Sequence, residues 1–390
     1  MRFLAALFLM LWAPSAMAAM SPLAASACSA ITARVDAIPG GGPIFLRSWD
    51  GRTGRGPAED TALAGAAFTY DNALAVVALI ACGREAQAAR IGEALLKASA
   101  TGFSNAYRAG AQTEDPPPPN GWWSAADNRW AEDPYQVGAA TGNVAWAGLA
   151  LMALAERTGD SRWSEGAKRA AAWVVANAGD GLADGFSGGF FGYRATPRRL
   201  TWRSTEHNVD LVALFVWLGW RPEAERARRF VAAQWDEGEG RFLVGTLPDG
   251  SPNRRLSGLD AQLWPLLLPE ASPGWRRAIA YVERAHAVPG GFDFNDDRDG
   301  LWVEGTAQAA LVYRRLGRPS EAERLLAGIA RQISPGGYLW ATREARITTG
   351  LAIGPDSASA DFTYERRPHL GATAWAALAA LDWNPFRSGH

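Results

Sequence analysis

Cysteine is nearly absent, with Cys28 and Cys82 alone in 390 residues. A disulfide-stapled scaffold is excluded, and the two either pair with each other or lie buried as free thiols. Histidine is scarce too, at 4 residues, and no HxxxH or HExxH spacing occurs, so a histidine-built zinc site is not expected. Charge of one sign is missing: 39 basic residues face 40 acidic ones. There is no basic excess to hold nucleic acid or an anionic membrane. Apolar runs long enough to span a bilayer are also missing. Phe3–Ala13 is too short and, after Arg2 and before Ala16-Met17-Ala18, suits a signal peptide over residues 1–18. The mature chain, 19–390, is expected to be exported, periplasmic or secreted, with no membrane attachment after cleavage.

What is present is a recurring unit. An apolar helix ends at a Gly-Arg or Gly-Asp turn and an Arg/Glu-rich amphipathic helix follows. Asn72–Ile91, Asn143–Ala172, Asp210–Phe230 and Ala307–Leu326 each show it. A helix apolar all round must be buried on every side, and an amphipathic one covers it from outside. Inner helices are predicted to begin near Asp71, Asn143, Glu206, Asp260, Glu304 and His369, the fourth shortened or kinked by Pro265 and Pro269. Outer helices are predicted at Ser21–Ile38, Arg84–Ala100, Ser161–Asn177, Pro222–Trp235, Gly274–His286 and Ser320–Ile333. Six of each make an all-α (α/α)6 barrel forming one domain. Loops into the inner helices are long, loops out are short, and Gly188–Tyr193 and Arg241–Leu247 alternate as short β-hairpins do.

The long loops bring the inner-helix starts to one end, where polar clusters precede the apolar bodies. Asp71, Glu206, Asp260 and Glu304 are the carboxylates among them. Crowded in reduced dielectric, at least one should keep its proton near neutral pH and serve as an acid. Helix-dipole capping is the competing explanation for each taken singly. The 18 tryptophans are the second signal. Aromatic faces stack on sugar rings while polar neighbours bond the hydroxyls. The candidate substrate-binding set is therefore Tyr70, Trp122, Trp123, Trp130, Tyr135, Asn143, Trp202, Arg203, His207, Asn208, Trp264, Trp302, Gln308, Tyr364 and His369. Asp293, Asn295, Asp297 and Asp299, with Glu304 eleven residues after Asp293, resemble a calcium loop, but Arg298 stands where the sharp-turn glycine belongs. An acidic turn is the expectation, with no metal and no cofactor.

The stretches Thr205–Asp210, Trp302–Gln308 and Pro368–Trp375, with the ending Asn384-Pro385-Phe386, resemble those of bacterial exported proteins in the six-hairpin glycosidase superfamily. The resemblance covers the mature chain and implies a carbohydrate substrate and hydrolysis by two carboxylates, one protonating the glycosidic oxygen and the other activating water, with inversion. Glu206 is the first choice for the acid. The base lies among Asp71, Asp260 and Glu304. The same toroid serves polysaccharide lyases, in which Asn208 or Arg203 would neutralise a uronate and His207 with a tyrosine would take the C5 proton. A non-catalytic glycan-binding or assembly protein of an exopolysaccharide system is the alternative of another class.

Overall fold

A computed structural model describes residues 20–51, 57–181 and 184–389. The expected signal segment lies outside these residues. Among the described residues, no helix is long and apolar enough to cross a membrane.

Six inner helices form a ring: Thr69–Ala81, Thr141–Thr158, Thr205–Leu218, Leu259–Leu263, Val303–Arg315 and Leu370–Ala380. The fourth is the short one. Pro265 cannot donate to a helical ladder, so the chain tightens into a 3-10 turn over Trp264–Leu267. Six outer segments enclose them: Pro22–Asp36, Glu85–Ala98, Ser161–Ala178, Arg221–Ala233, Pro273–Ala285 (3-10 passing into α) and Pro319–Ala330. The first outer helix packs on the last inner one and closes the ring. Gly159 and Gly219 end two inner helices at φ +71° and +74°, the left-handed turn that lets an outer helix start at once. Cys28 and Cys82 are disulfide-bonded, tying the first outer helix to the end of the first inner one.

Around the inner-helix starts the backbone is stitched cyclically. The first N–H of each inner helix donates to a carbonyl in the loop leading to the next: Thr69 to Asn105, Thr141 to Gly188, Thr205 to Val244, Leu259 to Phe294, Val303 to Ala341, and Leu370 back to Ser48, all at 2.8–3.1 Å. These are donors that a helix start otherwise leaves unsatisfied. In five of the six helices the fourth residue clamps its own incoming loop. Asn72 accepts from the Leu46 N–H, Asn208 from Phe186, Gln262 from Phe242, Thr306 from Phe292 and Thr373 from Leu339, at 2.8–3.0 Å.

Short antiparallel pairs decorate this end. Gly189–Phe191 pairs with Arg198–Leu200 and with Ala139–Ala140, and Arg241–Phe242 with Trp235–Asp236. Others join Ile44–Phe45 to Gly110–Ala111, Ala66–Phe68 to Ala106–Arg108, Trp122–Ser124 to Arg129–Ala131, and Arg346–Thr348 to Thr363–Glu365.

Candidate active site

With Asn72, Asn208, Gln262, Thr306 and Thr373 turned to their loops, the second residue of each inner helix takes the axial register. Those residues are Tyr70, Gly142, Glu206, Asp260, Glu304 and Gly371. One turn deeper, at i+4, stand Leu74, Trp146, Asp210, Trp264, Gln308 and Trp375. The glycines make room for the others. A Cβ on Gly371 would sit 2.6 Å from Asp71 Oδ1 and 2.9 Å from Glu304 Oε2, and one on Gly142 would sit 2.4 Å from the His207 ring.

The carboxyls fall into two groups. Glu206 and Asp260 share a hydrogen bond, and burial first, then the charge of Asp260, pushes Glu206 well above the carboxylate range. Asp260 is also raised by burial, but accepting from Glu206 and from the Ala261 N–H holds it back. Both carboxyls are thus held up by burial, and two such groups sharing one hydrogen bond resist ionising together. Glu206 keeps 31% of its side-chain surface open to the cleft although protein surrounds it, whereas Asp71 keeps 4% and Glu304 2%. His207 Nε2 lies 3.5 Å from Glu206, and burial lowers that imidazole to about 4, leaving it neutral at pH 7.

The second group is Glu304, His369, Asp71 and Tyr70. Tyr70 OH donates to Glu304 Oε1 at 2.7 Å and accepts from Trp375 Nε1 at 2.9 Å. Glu304 Oε2 is buried without a hydrogen-bond partner. Burial raises Glu304 to about 7, with His369 opposing and Asp71 adding to the rise. His369 Nε2 lies 3.3 Å from Asp71 and its Nδ1 3.6 Å from Glu304. Burial works against a charged His369, but Asp71 and Glu304 outweigh it and raise the imidazole. Trp49 stacks on that imidazole, ring centroids 4.0 Å apart.

A hairpin arm walls part of the mouth. Thr348 at its base bonds Asp297 and Asp299. Gly350 packs against Leu256, Gly354 against Phe191, and Asp356 pairs with Arg198. The arm thus runs past the loops of the fifth, fourth and third inner helices. Tyr364, on its inner strand, is raised by burial first and then by Glu304, Asp71, Asp260 and Glu206, so it borders both carboxyl groups. Tyr135 is pushed to about 12 by burial and then by Glu206.

Several predicted binding residues have other duties. Asn208 is corrected outright. Its amide is spent on Phe186 N–H, Phe186 C=O and Ser204 C=O, at 2.8–3.1 Å, and does not face the cleft. Asn143 accepts from Tyr70 N–H and donates to Asn105. Arg203 pairs with Asp180. Trp264 lies below the carboxyls, against Trp146 and Trp375 at 5.7 and 6.0 Å, and Gln308 is fully buried beside that layer. Trp302 is 2% exposed and packs on Phe294 and Tyr364. Trp202 lies beside His207, centroids 5.6 Å apart. Trp122, Trp123 and Trp130 belong to a rim hairpin, with Trp123 and Trp130 exposed to solvent. Trp49, Asp210, Gly371 and Trp375 are contributors missed from the sequence. For all but Trp49 the signal was present as the second and sixth positions of aligned inner helices.

The acidic turn closes on itself. Asp293, Asp297 and Asp299 bring oxygens within 4.8 Å of one another, yet each accepts hydrogen bonds from the same turn or from Thr348. Arg298 takes the left-handed conformation at φ +58° that a glycine would supply. Glu304 points to the axis rather than into the turn.

No protein-family model and no curated protein matches the chain. Solved structures do. A glycosidase superposes with a TM-score of 0.61 at 14% identity, covering 92% of this chain and 96% of its own. Another glycosidase structure, in complex with glucose, gives 0.60 at 15%, covering 92% and 96%. The GH76 alpha-mannanase of Bacteroides thetaiotaomicron gives 0.57 at 12%, covering 92% and 95%. The chain shares the helical-toroid fold of these structures, an (α/α)6 barrel.

Proposed function

We propose that the protein is an exported glycoside hydrolase acting on a neutral oligosaccharide or polysaccharide with inversion. The observation that carries this is the division of the axial carboxyls into two groups, Glu206 with Asp260 on the open side and Glu304 with Asp71 and His369 on the buried side. Glu206 holds a proton, backed by Asp260, and is the most accessible of them. It is placed to protonate the glycosidic oxygen. Glu304 is the base. One oxygen is fixed by Tyr70, and the other, which accepts no hydrogen bond and lies 3.6 Å from His369 Nδ1 beside Gly371, takes a proton from water. Asp71 acts through His369 to hold that imidazole beside Glu304. Water attacks the anomeric carbon as the leaving oxygen takes the Glu206 proton, and the water's proton passes to Glu304. Positive charge developing on the ring is stabilised by the surrounding carboxylates.

Neutral sugar is favoured over uronate by the same charge, since a carboxylate substrate would meet several like charges. Arg203 and Asn208, the groups a lyase would use, are engaged elsewhere. The similar solved structures, named as glycosidases, support a carbohydrate substrate. Export is proposed from Met1–Ala18 and fits the disulfide. N-terminal sequencing of secreted or periplasmic protein should begin near Ala19, and a cytoplasmic protein retaining Met1 would count against it.

The test is a panel of neutral glycans with reducing-end detection and NMR of the first anomer released. Glu206→Gln should lose ~10²–10⁴ in rate while still binding substrate. A folded Glu206→Gln protein with parental turnover would remove the acid assignment. Absorbance of an unsaturated uronate in the product would transfer the site to lyase chemistry.

A further inference from the structure

Among the described residues, six large hydrophobic side chains are exposed, and three of them fall in one patch: Trp123 at 58%, Trp130 at 43% and Tyr193 at 45%. Isolated exposed hydrophobics are ordinary, but a cluster of aromatic rings left in water marks a contact surface. Trp123 and Trp130 lie directly opposite each other on the paired strands Trp122–Ser124 and Arg129–Ala131, which puts both rings on one face of the hairpin. Trp130 is fixed in place. It covers Gly121, where a Cβ would come within 2.6 Å of the ring, and the Arg108 guanidinium sits 4.4 Å from its centroid. Tyr193 is held by its hydroxyl, which donates to the Glu132 carbonyl at 3.3 Å. Between them lies a hollow of about 260 Å³ bordered by Arg129, Trp130, Ala131, Glu132 and Tyr193.

The chemistry selects the occupant. The exposed aromatic rings lie beside Arg129 and Glu132, which is how protein surfaces meet sugars: rings against C–H groups and charged groups on hydroxyls. The interleaved charges oppose insertion into lipid. The patch is also continuous with the candidate cleft. The hairpin leads into the short helix Pro134–Val137, whose Tyr135 is close enough to Glu206 and Asp71 to be raised by their charge.

We propose that Trp123, Trp130 and Tyr193 form a second carbohydrate site, outside the cleft, that holds a neutral polysaccharide chain while its adjoining segment occupies the carboxyl-lined cleft. The role of the cleft rests on the hydrolase reading, but binding at the hairpin is measured without turnover.

The experiment is affinity electrophoresis of the full chain, carrying Glu206→Gln to prevent degradation, in native gels containing mannan, dextran, xylan or alginate. At least one neutral polymer should retard the protein. Trp123→Ala with Trp130→Ala should weaken that retardation at least tenfold. Trp123→Ala alone, at the most exposed of these positions, should weaken it several-fold and keeps the test open if the double variant misfolds. The proposal is overturned if no neutral polymer retards the protein or if the tryptophan variants are retarded like the parent. It is also overturned if Trp123 instead governs pelleting with phosphatidylglycerol vesicles. Hairpin-dependent binding in a chain that hydrolyses nothing would retain this site and remove the hydrolase reading. Hydrolysis without hairpin-dependent binding would do the reverse.

Discussion

Glu304 has its carboxyl raised from the usual 4.5 to about 7, chiefly by burial. The folded protein therefore binds that proton more tightly than the unfolded chain does. The stability this contributes is fully present below pH 4.5 and is lost as pH rises through 7. At ~1.4 kcal/mol per pH unit, ionised Glu304 holds folding back by roughly 3 kcal/mol at pH 8. Glu304→Gln removes the charge, keeps the shape and retains an oxygen for the Tyr70 hydroxyl. The loss of its ionic partner at His369 offsets part of the gain. The variant should be more stable than the parent by about 1–3 kcal/mol at pH 8, and by close to nothing at pH 4.5. Each kcal/mol should appear as a rise in Tm of about 2–4 °C. Hydrolysis should fall by ~10²–10⁴ if Glu304 is the base. Thermal melts from pH 4.5 to 8.5 beside rate measurements decide it. A variant no more stable than the parent at pH 8, or equally stabilised at both pH values, would refute the account of a desolvated, protonatable carboxyl. Parental rates would remove Glu304 from the chemistry.

Asp260→Asn takes away a charge that helps hold the Glu206 proton, so the alkaline limb of kcat/KM should move to lower pH by about one unit or more. A limb that stays in place would exclude proton sharing within the pair. Asn208→Ala strands the buried Phe186 amide and carbonyl and should cost about 1–3 kcal/mol in melts, without changing KM in the folded fraction. A rise in KM at parental stability would return Asn208 to the substrate. Reducing Cys28–Cys82, which closes a 54-residue separation, should cost about 4 kcal/mol on the loop-entropy account. An unchanged Tm under reductant, with both thiols labelled, would show that the bond contributes little.

The ring was legible because its inner helices are apolar around their whole circumference, and only a closed helical core buries such surfaces. The short fourth helix was legible from Pro265. The strand pairs at the mouth were mostly not. Ile44–Phe45 and Ala66–Phe68 are two or three residues long, held by the cyclic stitch rather than by their own propensity. Asn208 was misassigned for a related reason. An amide beside a carboxylate looks like a ligand until the helix starts are aligned and the fourth position emerges as a clamp. That alignment would also have exposed Asp210 and Gly371, one as a deeper carboxyl and the other as a gap among larger side chains. Trp123 and Trp130 were legible as candidate sugar-stacking rings, but their place on an exposed hairpin was not. Composition does not say which rings a hairpin turns outward.

The stitch from each helix start to the following loop has no first or last member, since Leu370 returns to Ser48. Where the polypeptide is cut is therefore immaterial to the hydrogen-bond circuit that positions the carboxyls. Both described ends, Met20 before the first outer helix and Gly389 bonded to Glu156, lie with the short turns on the far side of the ring. A circular permutant opened at Gly159-Asp160, its old ends joined by a flexible linker, would preserve every rung of the circuit. The toroid can thus be tethered, fused or reopened from behind while the mouth stays intact.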